Sequence, residues 1–435
     1  MKLIEPRHLP PLDRQFKPAV LANRLFQADV AASKHAARLV IALEREDGSI
    51  SRFETALFEA NHPRAGENLY YAERALKFLL WQHGGYRLFV AGPVGCAQSI
   101  QAVYTTGGER AFDAQFMGEE VYLRPFEVIP CLEQDVPAAN ERELRLGRHL
   151  EGCRIGFDLG ASDLKVSAVV DGQAIFSQEI VWQPRQQSDP QYHYDHLRRA
   201  ILLAASKMPR LDAIGGSAAG IYIDNRTRAA SLFRGVPGDR YDQVRTLFLR
   251  LSQELGVPLE VINDGEVTAL AGAMAIGDQP VLGLAMGSSE AAGYITANGA
   301  VTNWLNELAF APIDFNPQAP LDEWSGDRGV GSQYFSQQCV FRLAPRAGIE
   351  LPPGVTDAEK LKYIQQKLEQ GHAGARQIWQ TMGVYLGYGI AHYADFYDLK
   401  HILILGRCAS GMGGEIMVEQ AEAVLKDEFP QLAEQ

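Results

Sequence analysis

Cysteine is scarce in this sequence, and its positions match neither a disulfide scaffold nor a zinc site. The five cysteines are scattered and form no Cys-x-x-Cys pair: Cys96, Cys131, Cys153, Cys339 and Cys408. The histidines show no H-E-x-x-H spacing or similar ligand pattern. Both absences exclude the common zinc motifs. We therefore expect free thiols in a reducing cytosol and no structural zinc.

Long apolar runs and basic tracts are absent as well. No segment reaches the length of a membrane span, and residues 1–8 lack a signal-peptide core, so the expected location is cytoplasmic with no membrane partner. The net charge of −12 argues against a nucleic-acid partner, whose phosphates require a positive surface. It does not exclude a nucleotide, because one Mg²⁺ ion and a few backbone N–H groups neutralise phosphates locally.

The residues that are present describe a globular α/β protein. The chain has 435 residues, of which 46% are hydrophobic and 22% charged, enough for two or three domains. Strands followed by helices through glycine turns predict an α/β fold with two lobes. The order hairpin, helix, strand and glycine turn occurs before residue 95 and again after residue 154, which suggests an old duplication.

Four further segments have compositions that predict local structure. Leu69–Gln82 has the pattern of an amphipathic helix. An irregular β region should follow residue 95 and extend to about Pro130. Residues 133–151 have the composition of a linker with a charged helix, and residues 310–331 are rich in proline and glycine, as in a surface loop.

The segment from Ile155 to Gly172 is the most informative in the chain. An apolar run enters Asp158-Leu-Gly160-Ala-Ser162, and a second run leaves it for a tight turn at Asp171-Gly172. The glycine lets a backbone N–H approach a phosphate, the hydroxyl donates to an oxygen, and the acid holds the water shell of Mg²⁺. An ordinary hairpin with a polar turn is the alternative, and these residues alone favour neither.

Three further glycine turns follow predicted strands in order. Asn263-Asp264-Gly265 lies between a strand and a helix, Gly287-Ser288-Ser289 follows the next strand, and Gly406–Gly414 follows the last one. With the Asp158 turn, this set resembles the sugar kinase, heat-shock ATPase and actin superfamily. Within it the chain resembles a divergent member of the ROK family, named for repressors, open reading frames and kinases, over residues 154–424.

The resemblance implies a fold and a division of the chain. The expected fold is an actin-like ATPase (ribonuclease H-like) fold of two lobes with an additional N-terminal α/β domain. Residues 1–150 would form that domain, a degenerate duplicate of the first lobe. Residues 151–265 would form the first kinase-like lobe, and residues 266–435 the second lobe with a C-terminal helix. Family members usually continue beyond the position that matches Gln435.

The resemblance also implies ligands and roles. Mg-ATP would lie in the inter-lobe cleft and a sugar beside it, with Mg²⁺ held by Asp158 through water. Asp264 would be the general base, and Asn263, Glu307 and Trp304 would bind the sugar, Trp304 by stacking. The nucleotide would contact Asp158, Gly160, Ser162, Gly287, Ser288, Ser289 and Gly406. Family members often dimerise, so a homodimer is also implied.

The sequence departs from the family pattern at several of these positions. Glu290 follows the second phosphate turn, where its charge would repel ATP unless it points away or binds Mg²⁺. Arg407 replaces a glycine in the nucleoside turn, where it could block the adenine or pair with a phosphate. Phe310 stands where the family has a histidine, and Ser332 where it has a glutamate.

Asp264 has two interpretations. A carboxylate at a helix N-terminus should stay ionised at neutral pH and can take a proton from an attacking hydroxyl. It could instead only cap the helix that begins near Glu266. The sequence therefore favours ATP-dependent phosphorylation of a sugar-like hydroxyl by a bacterial, glucokinase-like enzyme, with a non-catalytic sugar or nucleotide sensor and an assembly protein as the alternatives.

Overall fold

The computed structural model describes residues 1–434 and divides the chain into two compact units. The first unit comprises Met1–Arg142, Gln279–Ala292 and Trp304–Gln435, and the second comprises Glu143–Asp278 and Gly293–Asn303. No helix among residues 1–434 combines the length and the apolar character that a membrane crossing requires.

Strands and helices alternate along most of the chain. The strands are β1 Ala36–Glu44, β2 Ile50–Phe58, β3 Arg87–Ala91, β4 Glu127–Pro130, β5 Glu143–Leu144, β6 Cys153–Leu159, β7 Asp163–Val170, β8 Gln173–Val181, β9 Ala213–Ala218, β10 Ile221–Ile223, β11 Arg226–Ala229, β12 Leu259–Asn263, β13 Val281–Met286, β14 Glu290–Ile295, β15 Val301–Thr302 and β16 His401–Leu405. The helices are α1 Ala19–Ala32, α2 Asn68–His83, α3 Cys96–Val103, α4 Ala111–Gln115, α5 Pro190–Ala205, α6 Tyr241–Arg245, α7 Leu247–Leu255, α8 Asp264–Ile276, α9 Gln337–Leu343, α10 Asp357–Glu369, α11 Ala373–Tyr393, α12 Gly411–Glu428 and α13 Pro430–Ala433.

The second unit contains a five-stranded sheet in the order β12-β9-β6-β7-β8. β6, β7 and β8 pair antiparallel in succession, whereas β9 and β12 run parallel to β6. This order and these directions are those of the ribonuclease H-like fold, so the predicted fold class is confirmed. The predicted turn at Asp171-Gly172 is present, with both residues at positive φ, 48° and 79°, as a type I′ hairpin requires.

The first unit contains a sheet in the order β2-β1-β3-β4. Its β1–β2 hairpin was expected, but β3 runs antiparallel to β1. The corresponding strand of the second unit, β9, runs parallel to β6. The two segments therefore differ in the direction of a central strand, which a simple duplication does not explain.

Helix α11 of the first unit carries several glycines and packs closely on its neighbours. A Cβ atom on Gly383 would lie 2.5 Å from the Met417 carbonyl oxygen of α12, and one on Gly387 would lie 2.6 Å from the Val424 Cβ. Glycine therefore permits α11 and α12 to approach backbone to backbone. The parallel pair β13 and β16 belongs to the same unit.

Two expectations for the N-terminal region were wrong. Residues 96–122 are mostly helical, with α3, α4 and a π-helix at Phe116–Tyr122, before the short strand β4. The signal was the spacing of Ala97, Ile100 and Tyr104, which are all buried and lie on one helical face. The linker has no charged α-helix, because Gly147 and Arg148 adopt φ of 77° and 58° and interrupt it.

The proline- and glycine-rich segment 310–331 is a buried irregular segment, not a surface loop. Most of its apolar residues are inaccessible to solvent, including Phe310, Ile313 and Val330. Carboxylates of the segment accept from its own backbone: Asp314 accepts from the Asn316 N–H and Asp322 from the Ser325 N–H, both at 2.8 Å. Asp314 also accepts from the Lys17 N–H at 2.9 Å. Helix α2 likewise differs from the prediction, since its charged side chains are buried in ion pairs.

Candidate functional site

The carboxyl ends of three parallel strands bring Asp158 and Asp264 to one edge of the second unit's sheet. Leu159 of β6 pairs with Ala218 of β9, and Ala218 pairs with Asn263 of β12. Asp158 precedes this row by one residue and Asp264 follows it by one. The charge of Asp158 contributes to the pKa of Asp264, as expected for neighbouring carboxylates. The two acids that the sequence singled out therefore share one edge.

Asn263, not Asp264, is the N-cap of α8. The Asn263 Oδ1 accepts from the Gly265 N–H at 2.7 Å, and its Nδ2 donates to the Gly220 carbonyl oxygen at 2.8 Å. Both ends of this amide are thus engaged in holding the helix start against the turn after β9. The predicted sugar-binding role of Asn263 therefore has to share its amide with these bonds.

Asp264 is partly buried in the first turn of α8. Burial raises its pKa above the ordinary value; the Gly265 N–H opposes this effect and the Asp158 charge reinforces it. Burial therefore opposes the effect of the helix terminus, which favours the ionised carboxylate. A raised pKa makes a carboxylate a stronger base when it is ionised.

Lys165 faces Asp158 across the β6–β7 hairpin, where the two residues are direct partners. Its Nζ lies 3.7 Å from the Asp158 Oδ2 and 3.6 Å from the Asp163 Oδ1. The Lys165 and Asp158 side chains are about half exposed, at 52% and 42%, so water screens this contact. Lys165 was not among the predicted site residues, although it lies on the same hairpin, three residues after Ser162.

The turn between β6 and β7 is held from both sides. The Gly160 N–H donates to the Asp163 carbonyl oxygen at 2.9 Å, and Trp182 donates its indole N–H to the Gly160 carbonyl oxygen at 2.9 Å. The Trp182 N–H donates to the Ser162 carbonyl oxygen at 3.1 Å. The Gly160 N–H is therefore occupied within the turn. The Ser162 side chain is exposed, and its hydroxyl has no hydrogen bond within residues 1–434.

Asp163 places a second carboxylate beside this turn. A Cβ atom on Gly160 would lie 2.7 Å from the Asp163 Oδ1. Asp158 and Asp163 thus give the turn two acids, against the single cation Lys165. A phosphate at this turn would need Mg²⁺ or a rearranged Asp163 to offset their charge.

Two glycine turns adjoin in the first unit. β13 and β16 pair in parallel, so Gly287 and Gly406 follow the same ends of neighbouring strands. Gly406 has a φ of 96°, and a Cβ atom there would lie 2.4 Å from the Met286 carbonyl oxygen, so only glycine fits. Ser288, Ser289 and Arg407 are exposed, and their side chains form no hydrogen bond within residues 1–434. These groups are free to contact a ligand.

Glu290 points into the core of the first unit, away from the turn that precedes it. Its side chain is buried, and its Oε1 accepts a hydrogen bond from the Tyr393 hydroxyl at 2.8 Å. Burial raises the pKa of Glu290 to about 8; the Tyr393 bond opposes this effect and the Glu307 charge reinforces it. Glu290 is therefore neutral at pH 7 and does not repel a phosphate at Ser288 and Ser289.

Replacing Glu290 by glutamine tests this protonation state. The folded protein keeps the Glu290 proton until about pH 8, whereas the unfolded chain loses it near 4.5. The wild-type free energy of unfolding, relative to Glu290→Gln, should therefore fall with rising pH over that interval, by about 1 kcal/mol per pH unit. Above about pH 8, this difference in the free energy of unfolding should no longer change with pH. Urea unfolding across pH 5–9 measures the difference, and a pH-independent difference would contradict it.

The predicted sugar-binding residues of the first unit are engaged in packing. Trp304 donates its indole N–H to the Glu141 Oε2 at 2.9 Å, and its ring lies 4.2 Å from that of His83. Glu307 donates its N–H to the Trp81 carbonyl oxygen at 2.9 Å and precedes a short 3-10 helix, Leu308–Phe310. Its side chain is only partly buried.

The two family departures near Glu307 are structural. Phe310 packs 4.2 Å from the ring of Trp81 and 5.2 Å from that of Trp324. Ser332 is buried and donates its hydroxyl to the Asp322 Oδ1 at 3.1 Å. A histidine and a glutamate at these places would lose such partners. The histidine and the glutamate that the ROK family has at these two places are therefore replaced here by residues that make core contacts.

Protein side chains alone do not form a metal centre in the described part of the chain. Residues 1–434 contain no group of three or more His, Cys, Asp or Glu side chains that could hold a metal ion. A cavity of about 1280 Å³ beside β4 contains none of the predicted site residues. Magnesium at Asp158 would therefore depend on water and on the phosphates of a nucleotide.

The strand order and the glycine turns define an actin-like ATPase (ribonuclease H-like) fold. No protein-family model matches the sequence, and no curated protein matches it. Among solved structures, the chain is similar to a ROK hexokinase from Thermus thermophilus, with 16% identity, a TM-score of 0.49, and coverage of 63% of this chain and 89% of the hexokinase.

Two other solved structures are similar to the chain at comparable TM-scores. A ROK family glucokinase from Streptomyces griseus, in complex with glucose and AMPPNP, has 20% identity and a TM-score of 0.47, covering 65% of this chain and 90% of its own. A ROK family transcriptional regulator, a homologue of the E. coli MLC protein, has 17% identity and a TM-score of 0.48, covering 68% and 72%. The neighbours thus include both kinases and a regulator, and the similarity concerns the fold.

Proposed function

We propose that this protein phosphorylates a hydroxyl group of a sugar or sugar-like polyol with ATP and Mg²⁺. The observation that carries the proposal is the shared edge of Asp158 and Asp264, with Asn263 acting as the helix cap. Because Asn263 caps α8, Asp264 is not required for that purpose and can act on a substrate. Its raised pKa suits a general base.

Each residue of the edge has a role in this proposal. Asp264 accepts the proton of the attacking hydroxyl, and Asp158 orients the water shell of Mg²⁺. The Ser162 hydroxyl donates to a phosphate oxygen. Within the first unit, Ser288 and Ser289 offer hydroxyl groups to a phosphate, and Gly406 leaves room for a nucleoside. ATP supplies the phosphoryl group and Mg²⁺ neutralises its charge. The protein residues contribute by positioning the reactants and by stabilising their charge.

Thermal unfolding with ligands tests nucleotide binding. We expect Mg-ATP to raise the unfolding temperature, because a ligand at 100 times its Kd stabilises the native state by about 2.7 kcal/mol. Asp158→Ala should abolish this shift, while Asp239→Ala, an exposed acid of the same unit, should retain it. A shift that is equal in both variants would contradict the role of Asp158. ADP release with a panel of sugars then tests turnover.

The second acid at the turn favours a different function, a non-catalytic sensor. Asp163 crowds Gly160 and occupies its N–H through the Asp163 carbonyl oxygen, so the turn offers fewer donors to a phosphate. A sensor would be stabilised by a sugar in the absence of nucleotide and would release no ADP. A kinase with an inhibitory Asp163 would instead bind Mg-ATP more tightly after Asp163→Asn.

A further inference from the structure

Three arginines of the second unit line a pocket that contains none of the residues discussed above. The pocket has a volume of about 590 Å³ and is lined by Arg226, Asp242, Gln243, Arg245, Thr246 and Arg250. We call it the arginine pocket. Arg226 begins β11, and the other residues belong to α6, α7 and their junction. Its volume lies in the range of small-molecule sites.

Two of the three guanidinium groups in the arginine pocket have no hydrogen-bond or ion-pair partner in the described part of the chain. Arg245 pairs with the carboxylate of Asp242 within α6. Arg226 and Arg250 have no ion pair or side-chain hydrogen bond within residues 1–434. Three guanidinium groups and one carboxylate therefore leave the pocket with two net positive charges, although the chain as a whole carries −12.

The position of Arg250 is fixed by a ring. Its guanidinium carbon lies 4.2 Å from the centroid of Tyr194, a cation–π distance. The Tyr194 hydroxyl in turn donates to Glu254, which also pairs with Arg198. Arg250 is thus oriented without any of its N–H groups being consumed. An oriented guanidinium with free donors is suited to a bidentate bond with an oxyanion.

We propose that the arginine pocket binds the phosphate group of a small phosphorylated molecule. Arg226 and Arg250 supply the charge that matches a phosphate dianion, and their planar groups match its oxygens. The Thr246 and Gln243 side chains provide neutral polar groups beside them. A carboxylate ligand carries only half of this charge. The site is separate from the Asp158–Asp264 edge, so it stands whether or not the protein is a kinase.

Titration with inorganic phosphate and with glycerol 3-phosphate tests the proposal. At constant ionic strength, isothermal titration calorimetry of the full chain should show saturable binding of both, and none of acetate or glycerol. Arg226→Gln and Arg250→Gln should each weaken binding about tenfold or more, since a charge-assisted hydrogen bond contributes ~1.5–3 kcal/mol. Arg250→Lys, which keeps the charge but loses the planar group, should weaken it less.

Arg199→Gln is the matched control. Arg199 is an exposed arginine on α5, outside the pocket, and its side chain has no hydrogen bond or ion pair within residues 1–434. It removes the same charge and should leave the affinity unchanged. Equal weakening by Arg199→Gln, unchanged affinity in the pocket variants, or no saturable binding by the wild type would each overturn the proposal.

Variants of the carboxylate edge separate this site from the proposed active site. Asp158→Ala and Asp264→Asn should leave phosphate binding by the arginine pocket intact. Phosphate binding that is lost with Asp158→Ala but kept in Arg226→Gln would place the anion at the Asp158 turn and overturn the pocket proposal. Circular dichroism of each variant establishes that it is folded. If a glutamine variant is not folded, Arg250→Lys still tests the pocket.

Discussion

Asp264→Asn is expected to lower kcat for sugar phosphorylation by roughly 10²- to 10⁴-fold, the usual contribution of a general base. Asparagine keeps the shape of the side chain but cannot accept the hydroxyl proton. The stabilisation by Mg-ATP should persist, because Asp264 is assigned to the sugar and not to the nucleotide. Steady-state kinetics and nucleotide-dependent unfolding measure the two effects separately.

The stability of Asp264→Asn distinguishes a base from a structural residue. The folded-state pKa of Asp264 is raised, so the folded protein binds its proton more strongly than the unfolded chain does. Stability is therefore lost as pH rises from the unfolded to the folded pKa, and the ionised group is a cost at pH 7. The variant should be at least as stable as the wild type there. Asp239→Asn is the control, and unaltered turnover in Asp264→Asn would contradict the assignment.

Asp327→Asn is expected to destabilise the protein by about 3–5 kcal/mol, because it removes one acid from a buried ion network. One or other Asp327 carboxylate oxygen lies 3.0 Å from Arg74, 3.1 Å from Lys77 and 2.9 Å from Arg110. All four side chains are nearly inaccessible to solvent. The variant leaves their cations under-compensated in a medium that solvates them poorly.

An exposed pair and a pH series provide the controls for Asp327→Asn. Glu422→Ala breaks the exposed i,i+4 pair with Lys426 and should cost no more than about 0.5 kcal/mol. Burial opposes the ionisation of Asp327, but Lys77 and Arg74 outweigh it and lower its pKa. The stability that Asp327 contributes should therefore persist above the ordinary carboxyl pKa and be lost as pH falls through the lowered value. Urea unfolding measures both, and a cost for Asp327→Asn no larger than that for Glu422→Ala would contradict the prediction.

Local patterns were enough to predict most of the second unit. The apolar runs around Asp158 and before Asn263, with glycine at each end, specified strands and turns whose meeting at one edge follows from parallel pairing. The cap of α8 could not be assigned in the same way. Asn263 and Asp264 are both good N-cap residues. Only the structure shows that the Asn263 Oδ1 accepts from the Gly265 N–H, while the Gly220 carbonyl oxygen holds the other end of the same amide.

The sequence was a poorer guide where long-range contacts decide the outcome. Glu73, Arg74 and Lys77 look like the polar face of α2, but Arg110 and Asp327, which are distant in sequence, bury them in ion pairs. Glu290 looked like a charge beside a phosphate turn until its burial against Tyr393 was known. Periodicity reports local faces, whereas the partners of a buried charge come from elsewhere in the chain.

Trp182 gives the Asp158 turn a property that matters for binding kinetics. Its two N–H groups donate to the carbonyl oxygens of Gly160 and Ser162, so the protein's own hydrogen bonds restrain the backbone of the turn. Association there should not require the loop to become ordered, and little conformational entropy is lost on complex formation. Loss of the two Trp182 hydrogen bonds would therefore reduce the affinity for a ligand at the Asp158 turn.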